Sequence, residues 1–247
     1  LRHVITKTVE RVLAPLCERI VCISASEHAI AVAAGISADR LALVRSGIST
    51  GRPQVAPAAW DDQRTKILFV GRLDRQKGYD LLLEAARRLE TKIHVRMIGS
   101  AVVGENQDID VPPNVEMLGW QSRDAIEAQL ERADVAIVPS RWEGFGLVAL
   151  EAMRARKAVI AFAVGALPEI VEDNVTGFLC SPVGVDSLVA ALQRSTEAPL
   201  DKMGESGHHR FRMQFSVETM HRLLSSVYAD VLACSFPERE RSLSEVK

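Results

Sequence analysis

From residue 65 onward, short β-branched apolar runs alternate with amphipathic stretches, each pair taking about 30 residues, the length of a βαβ unit. This alternation constrains the fold more than any other feature of the chain. The candidate strands are KILFV (66–70), IHVRMI (93–98), VEML (115–118), DVAIV (134–138), AVIAF (158–162) and GFLC (177–180). Nearly continuous apolar strands of this kind are buried on both faces, which requires a parallel sheet with helices on each side. Helices are expected over 79–90, 122–132, 146–155 and 167–172, and the first places Leu82, Leu83, Ala86 and Leu89 on one stripe. The expectation is an α/β chain with a Rossmann-like, doubly wound parallel sheet. Counting strands from residue 65, the order is 3-2-1-4-5-6.

Upstream, RIVCISASEHAIAVAAGISADRLALVRSGI (19–48) reads as a strand, a Ser-capped helix, a turn at Gly35 and a second strand ending at Val44. Two strands cannot bury their own faces, so residues 1–48 are expected to be the remnant of a second Rossmann-like domain. The stretch STGRPQVAPAAWDDQR (49–64) has no periodicity and reads as a linker. The nucleotide-facing domain is expected over 65–205, returning helices over 206–235, and a mobile charged tail over 236–247.

Composition removes several alternatives. Thirty Lys and Arg against 32 Asp and Glu give a net charge of −2, which offers no bulk attraction for nucleic acid. Nearly half the 247 residues are hydrophobic, enough for a sizeable core in an ordinary soluble globular protein. Cys17, Cys22, Cys180 and Cys234 are scattered, without a CxxC pair or His at metal-ligand spacing, as suits a reducing cytosol. No apolar run approaches the ~20 residues of a membrane span. None of His3, His28, His94, His208, His209 or His221 falls in a motif with assignable chemistry.

The expected strand order puts the loop after the first strand, GRLDRQKG, beside the loop after the fourth, PSRWEGFG, at the point where ligands bind in such sheets. The first loop supplies Gly71 and Gly78 for tight backbone paths and the cations Arg72, Arg75 and Lys77, which suit a diphosphate. In the second, EGFG opens a helix whose first N–H groups, around Gly146, Leu147 and Val148, favour an anion. Alone, the first loop reads sooner as a solvated polar loop; together the two point to one phosphate site.

Competing chemistries fit poorly. GRLDRQKG is not GxGxxG, and the second strand ends in MIGS without an acidic residue for a ribose, so a nicotinamide cofactor is not indicated. A P-loop motif is absent. Glu143 and Glu151 lie eight positions apart; on one helix that is ~12 Å of rise and a rotation of roughly 80°, unlike the facing pair, about 5–9.5 Å apart, of a glycosidase. They suit one wall of a crevice, hydrogen bonding to a sugar and a ribose, although Glu151 also reads as the solvent-facing glutamate of an amphipathic helix.

VGRLDRQKGYDLLLEA, ADVAIVPSRWEGFGLVALEAM, GALPEIV and NVTGFL, in that order, resemble the nucleotide-sugar half of GT-B glycosyltransferases, specifically the retaining enzymes of glycosyltransferase family 4. VCISAS and VRSGI resemble the end of that family's acceptor domain, and FSVETMHRLLSSVYADVL its terminal helix. The likeness runs from about residue 19 to about residue 230, and implies that residues 65–205 are the GT-B C-terminal domain.

The resemblance implies that Arg72 and Lys77 contact the diphosphate of a nucleotide-sugar donor, Glu143 the sugar and Glu151 the ribose. Gly71, Gly144, Phe145, Gly146, Leu147, Val148 and Gly165 would line the same site, with backbone N–H groups at Leu147 and Val148 assisting the phosphates. It further implies retaining transfer to a glycan or lipid-linked acceptor, in polysaccharide or lipopolysaccharide biosynthesis, without a metal or bound cofactor. The location implied is cytoplasmic, with peripheral association at the inner face of a membrane. Three departures stand out: Arg156 and Ala158 where the family commonly has Gly and Pro, Gly165-Ala166 in place of Gly-Gly, and, most serious, an acceptor domain expected to be largely missing from this sequence. A sugar-nucleotide epimerase of the same architecture, or a non-catalytic nucleotide-sugar-binding module, are the alternative readings.

Overall fold

The computed structural model describes residues 9–100 and 110–235, with side chains as far as residue 233. The expectations for the tail 236–247, for His3 and for the thiol of Cys234 lie outside the described residues. The chain divides into two compact units, one of residues 48–213 and one combining residues 1–47 with 214–247.

The larger unit is built on six parallel strands: β3 (Thr65–Val70), β4 (Ile93–Ile98), β5 (Val115–Gly119), β6 (Val135–Val138), β7 (Ala158–Phe162) and β8 (Gly177–Cys180). Their order is β5-β4-β3-β6-β7-β8, the doubly wound arrangement expected. Ile67 of β3 stands between Val95 of β4 and Val135 of β6. Alternate side chains go to opposite faces. Ile67, Phe69, Met97, Ile137 and Ile160 join one core with Leu82, Leu83 and Ala86 of the helix Tyr79–Arg88 and Leu188 and Leu192 of the helix Val185–Ser195. The helix Arg123–Arg132 packs against β3, and the helix Leu147–Arg154 against β6 and β7. All four residues of β6 and all five of β7 are buried, as strands covered on both sides must be.

Three expectations are revised. Residues 49–64 form no helix or strand, yet they are laid against the sheet rather than free: Trp60 is 2% exposed, its indole donates to His94 Nδ1 at 2.7 Å, and the Ala58 N–H donates to the Ala128 carbonyl at 2.9 Å. A boundary at 205/206 would cut the helix Leu200–Gln214, whose buried Met203, Gly204, Gly207 and Phe211 belong to the larger unit; the division comes at Gln214 instead. Gly204 is required there, because a β-carbon would lie 1.9 Å from the Arg156 carbonyl oxygen. The helix Val185–Ser195 also follows β8, and the stretch expected to be helical over 167–172 is the single turn Leu167–Ile170.

The smaller unit pairs β1 (Ile20–Cys22) with β2 (Leu41–Leu43) in parallel, Ile20 opposite Leu41. The helix Ala25–Ala33 joins them, capped by Ser24, whose hydroxyl accepts from the Glu27 N–H at 3.0 Å, while Glu27 accepts from the Ile23 N–H at 2.7 Å. Ser216 begins the last helix, Val217–Ser235, accepting from the Thr219 N–H at 3.2 Å. Gly47 lies so close to this start that a β-carbon would meet the Ser216 carbonyl oxygen at 2.4 Å.

Candidate functional site

The loops after β3 and β6 meet because their strands are neighbours and because the chain narrows at the contact. Gly78 adopts a left-handed conformation (φ 68°), and a β-carbon on it would stand 1.9 Å from the Pro139 carbonyl oxygen. The loops are then tied by hydrogen bonds. The Arg141 N–H donates to the Gln76 carbonyl at 2.8 Å, and the Arg141 guanidinium donates to the Arg75 carbonyl at 2.8 Å and to both Asp80 oxygens at 2.7 and 2.6 Å. Burial would raise the Asp80 carboxyl, but the two-pronged Arg141 contact holds it below its ordinary value. Gln76 donates to the Trp142 carbonyl at 3.3 Å.

These contacts frame a cavity of about 270 Å³ at the carboxyl ends of β3 and β6. Phe69, Val70, Ile137 and Val138 contribute apolar walls; Lys77, Ser140 and Glu143 contribute the polar side chains. Lys77 Nζ donates to Glu143 Oε2 at 2.7 Å, and Ser140 donates to the same oxygen at 2.9 Å. With side-chain exposures of 22% and 11%, Lys77 and Glu143 are largely withdrawn from water, and their pairing balances charge within the cavity. The main chain at Lys77 is fixed by Asp74, which accepts its N–H at 2.9 Å.

Phe145, Gly146, Leu147 and Val148 form the remaining wall. Gly146 is left-handed (φ 104°) and caps the helix Leu147–Arg154, whose first N–H groups have no carbonyl of their own helix to bond. The helix therefore presents its positive end within one lining with the Lys77 ammonium. Phe145 is 5% exposed and serves as apolar wall. Gly165 is also left-handed, and a β-carbon there would sit 1.8 Å from the Glu143 carbonyl oxygen; it seats the following loop against Glu143.

Lys77, Glu143, Phe145, Gly146, Leu147 and Val148 are thus brought together in one lining. Arg72 is placed differently: its guanidinium is 58% exposed and engages Asp74 at 2.9 Å and Gln76 at 3.0 Å. Gly71 continues from β3, donating its N–H to the Ile98 carbonyl at 2.9 Å, and Gly144 has open space around it. Glu151, on the second turn of the helix, is partly buried, and burial pushes its carboxyl above the ordinary value. Ser140, Asp74, Gln76 and Asp80 were not singled out from sequence; only the D-x-x-K spacing of Asp74 and Lys77, a local capping pattern, could have signalled one of them. Among the described residues there is no cluster of His, Cys, Asp and Glu able to hold a metal ion, and no helix long and apolar enough to cross a membrane.

Comparison with known proteins agrees with this architecture. A protein from the cps region of Klebsiella pneumoniae, described only by its 41.2 kDa size, is 34% identical over 196 residues, covering 76% of this chain and 54% of the relative. Mycobacterium tuberculosis glycogen synthase is 29% identical over 231 residues, 90% of this chain and 55% of the enzyme. The chain therefore spans about half the length of these curated relatives. Sucrose-phosphate synthase of Thermosynechococcus elongatus superimposes with a TM-score of 0.80 at 25% identity, over 92% of this chain and 62% of that one. Anabaena HepE, solved with UDP, shares the fold with a TM-score of 0.80 at 20% identity, over 91% of this chain and 68% of that one. The family model of the glycosyl transferases group 1 matches residues 53–210, the segment holding all six strands of the larger sheet and both loops of the cavity. With its GT-B architecture and this match over more than half its length, the chain belongs to the group 1 glycosyl transferases.

Proposed function

We propose that this chain carries the donor-binding half of a retaining glycosyltransferase that takes a sugar from a nucleoside-diphosphate sugar and passes it to a glycan or lipid-linked acceptor. The observation that carries the reading is the meeting of Lys77 and the first turn of the helix Leu147–Arg154 in one cavity, two independent anion-directed features on adjacent strands. In this reading Lys77 and the Leu147 and Val148 N–H groups hold the diphosphate, with Arg72 released from Asp74 to join them. Because negative charge grows on the diphosphate as the sugar departs, fixed donors of this kind act most strongly on the transition state. Glu143 then accepts from donor-sugar hydroxyls and Glu151 from the ribose, and no metal or bound cofactor takes part.

Anabaena HepE has been solved with UDP and with UDP-glucose, which supports a nucleoside-diphosphate sugar as the donor class. Glycogen synthase among the relatives supports a polysaccharide-making role, and action at the cytoplasmic face of a membrane, with peripheral attachment, is part of the same proposal. Calorimetry of the chain with UDP-, GDP- and ADP-sugars tests the donor reading. We expect one of them to bind and Lys77→Ala to weaken it by about tenfold or more; binding indifferent to Lys77 sinks the proposal. The alternative reading is a unit that binds donor without turning it over, and release of free nucleotide on addition of acceptor would exclude it.

A further inference from the structure

Behind Glu151 lies a buried ionic network. Arg154, the last residue of the same helix, is 2% exposed and donates through Nη2 to Glu127, itself 2% exposed. Arg154 Nη1 also reaches the Ser49 and Gly51 carbonyls at 3.4 and 3.5 Å. The other Glu127 oxygen accepts from Arg52 Nε at 3.0 Å, and Arg52 continues to Glu131 at 2.8 Å. One side chain thus ties three segments: the helix facing the cavity, the helix Arg123–Arg132, and residues 49–52.

Stability alone is a weak reason for such a network. Withdrawing two charges from water costs several kcal/mol per ion, and an apolar pair of similar volume is often as stable or more so. Its position is more informative. The Glu151 side chain has no hydrogen bond or ion pair to another described residue, so its carboxylate depends on burial and on the charges around it. After burial, which raises the carboxyl, the groups that act on it are Arg154 on its own helix, which lowers it, and, on the helix Arg123–Arg132, Glu127, which raises it, and Arg123, which lowers it. Arg154 is therefore both the mechanical anchor of the helix and the leading cation behind its carboxylate.

We propose that Arg154 is a positioning residue for the nucleotide, holding the helix that presents Glu151 and the Leu147 and Val148 N–H groups while keeping a positive charge behind Glu151. The proposal rests on the donor reading above. Removing Arg154 takes the leading positive charge from behind Glu151 and leaves Glu127 with Arg52, so the pH at which Glu151 gains its proton rises and ribose binding is lost at a higher pH. Replacing the pair together removes opposite charges, whose effects on Glu151 partly offset one another.

The test is calorimetry of the whole chain with UDP, GDP and ADP, from about pH 5 to about pH 8 to span carboxyl titration, on the wild type, R154K, R154M and R154M/E127M. The expected result is an affinity about tenfold weaker in R154M, with its acid-side loss moved to higher pH, and partial recovery in R154K. The double variant, folded because apolar volume replaces the ion pair, is expected to bind weakly but with an acid-side profile closer to the wild type's than that of R154M. If R154M fails to fold, R154K and the double variant decide the matter: wild-type affinity in both overturns the proposal. Wild-type affinity and pH profile in R154M, with only the melting temperature changed, overturns it as well and marks Arg154 as purely structural. A wild-type chain that binds none of the three nucleotides overturns the donor reading and this proposal with it.

Discussion

The two units solve the same problem to different degrees. Both are built on parallel strands, which need cover on each face. In the larger unit β6 and β7 have it, and no residue of either is exposed. In the smaller unit β1 and β2 are three residues long, Val21 is 40% exposed, and the helix between them has no buried residue. Around them Leu13, Leu16, Ile30, Val32, Tyr228 and Leu232 are all more than two-fifths exposed. The same strand chemistry thus yields a closed core where helices cover both faces of six strands and, among the described residues, an open apolar surface around the other two.

Deleting methyl groups should expose this difference most sharply. Ile160→Ala, at a residue with no exposure, is expected to cost about 4 kcal/mol, and Val21→Ala less than about 1 kcal/mol, in denaturant titrations of the whole chain. Equal costs would break the comparison. Glycines give a second contrast, since Gly78 and Gly35 are both left-handed but only Gly78 has a carbonyl oxygen 1.9 Å from the missing β-carbon, the nearest atom to Gly35 being an Arg11 side-chain atom at 3.5 Å. Gly78→Ala should cost about 3 kcal/mol and disrupt the cavity, whereas Gly35→Ala should cost about 1 kcal/mol.

The open surface makes a prediction of its own. Sedimentation of the chain should show self-association that V21S/I30S/V32S reduces without altering the melting of the larger unit; a wild-type monomer would mean the exposed apolar groups are too dispersed to matter. The smallest effect concerns pH. Trp60 donates to His94 Nδ1, which requires an unprotonated nitrogen, and burial, helped by Arg64 and Arg96 against Asp62 and Glu116, holds the imidazole below its ordinary value. Its contribution is complete above the unfolded value of about 6.5 and is lost as pH falls through the lower folded value, an effect of about 1 kcal/mol or less. Trp60 fluorescence followed during unfolding should show that acid sensitivity in the wild type and its absence in His94→Gln.

Most of the larger sheet was legible because its signal is repetitive. Strand after strand shows an apolar run followed by an amphipathic helix, and the doubly wound order follows from that rhythm. The neighbouring positions of GRLDRQKG and PSRWEGFG followed from the order, and so did the gathering of Lys77, Glu143 and the helix start. Single long-range contacts carry no rhythm. The seat of Trp60 on His94, the Arg141–Asp80 fork and the Arg154–Glu127 pair each join residues with no periodic relation, and each was missed. The helix Val185–Ser195 was missed for a related reason: it follows the last strand, where no further strand closes the unit. Arg72 was read as facing the phosphates, and its engagement with Asp74 depends on loop geometry that sequence alone does not fix.

The burial of Trp60 has a practical consequence for exchanging the larger unit between related proteins. A swap cut at residues 65 and 205, where the repeating pattern begins and fades, would strip the indole from His94 and from beneath Arg96, which lies 4.5 Å over its ring. It would also sever the helix Leu200–Gln214 midway. Junctions near Gly47 and Gln214 leave both intact, so a transplantable module of this protein begins well before its first long strand and ends with a whole helix.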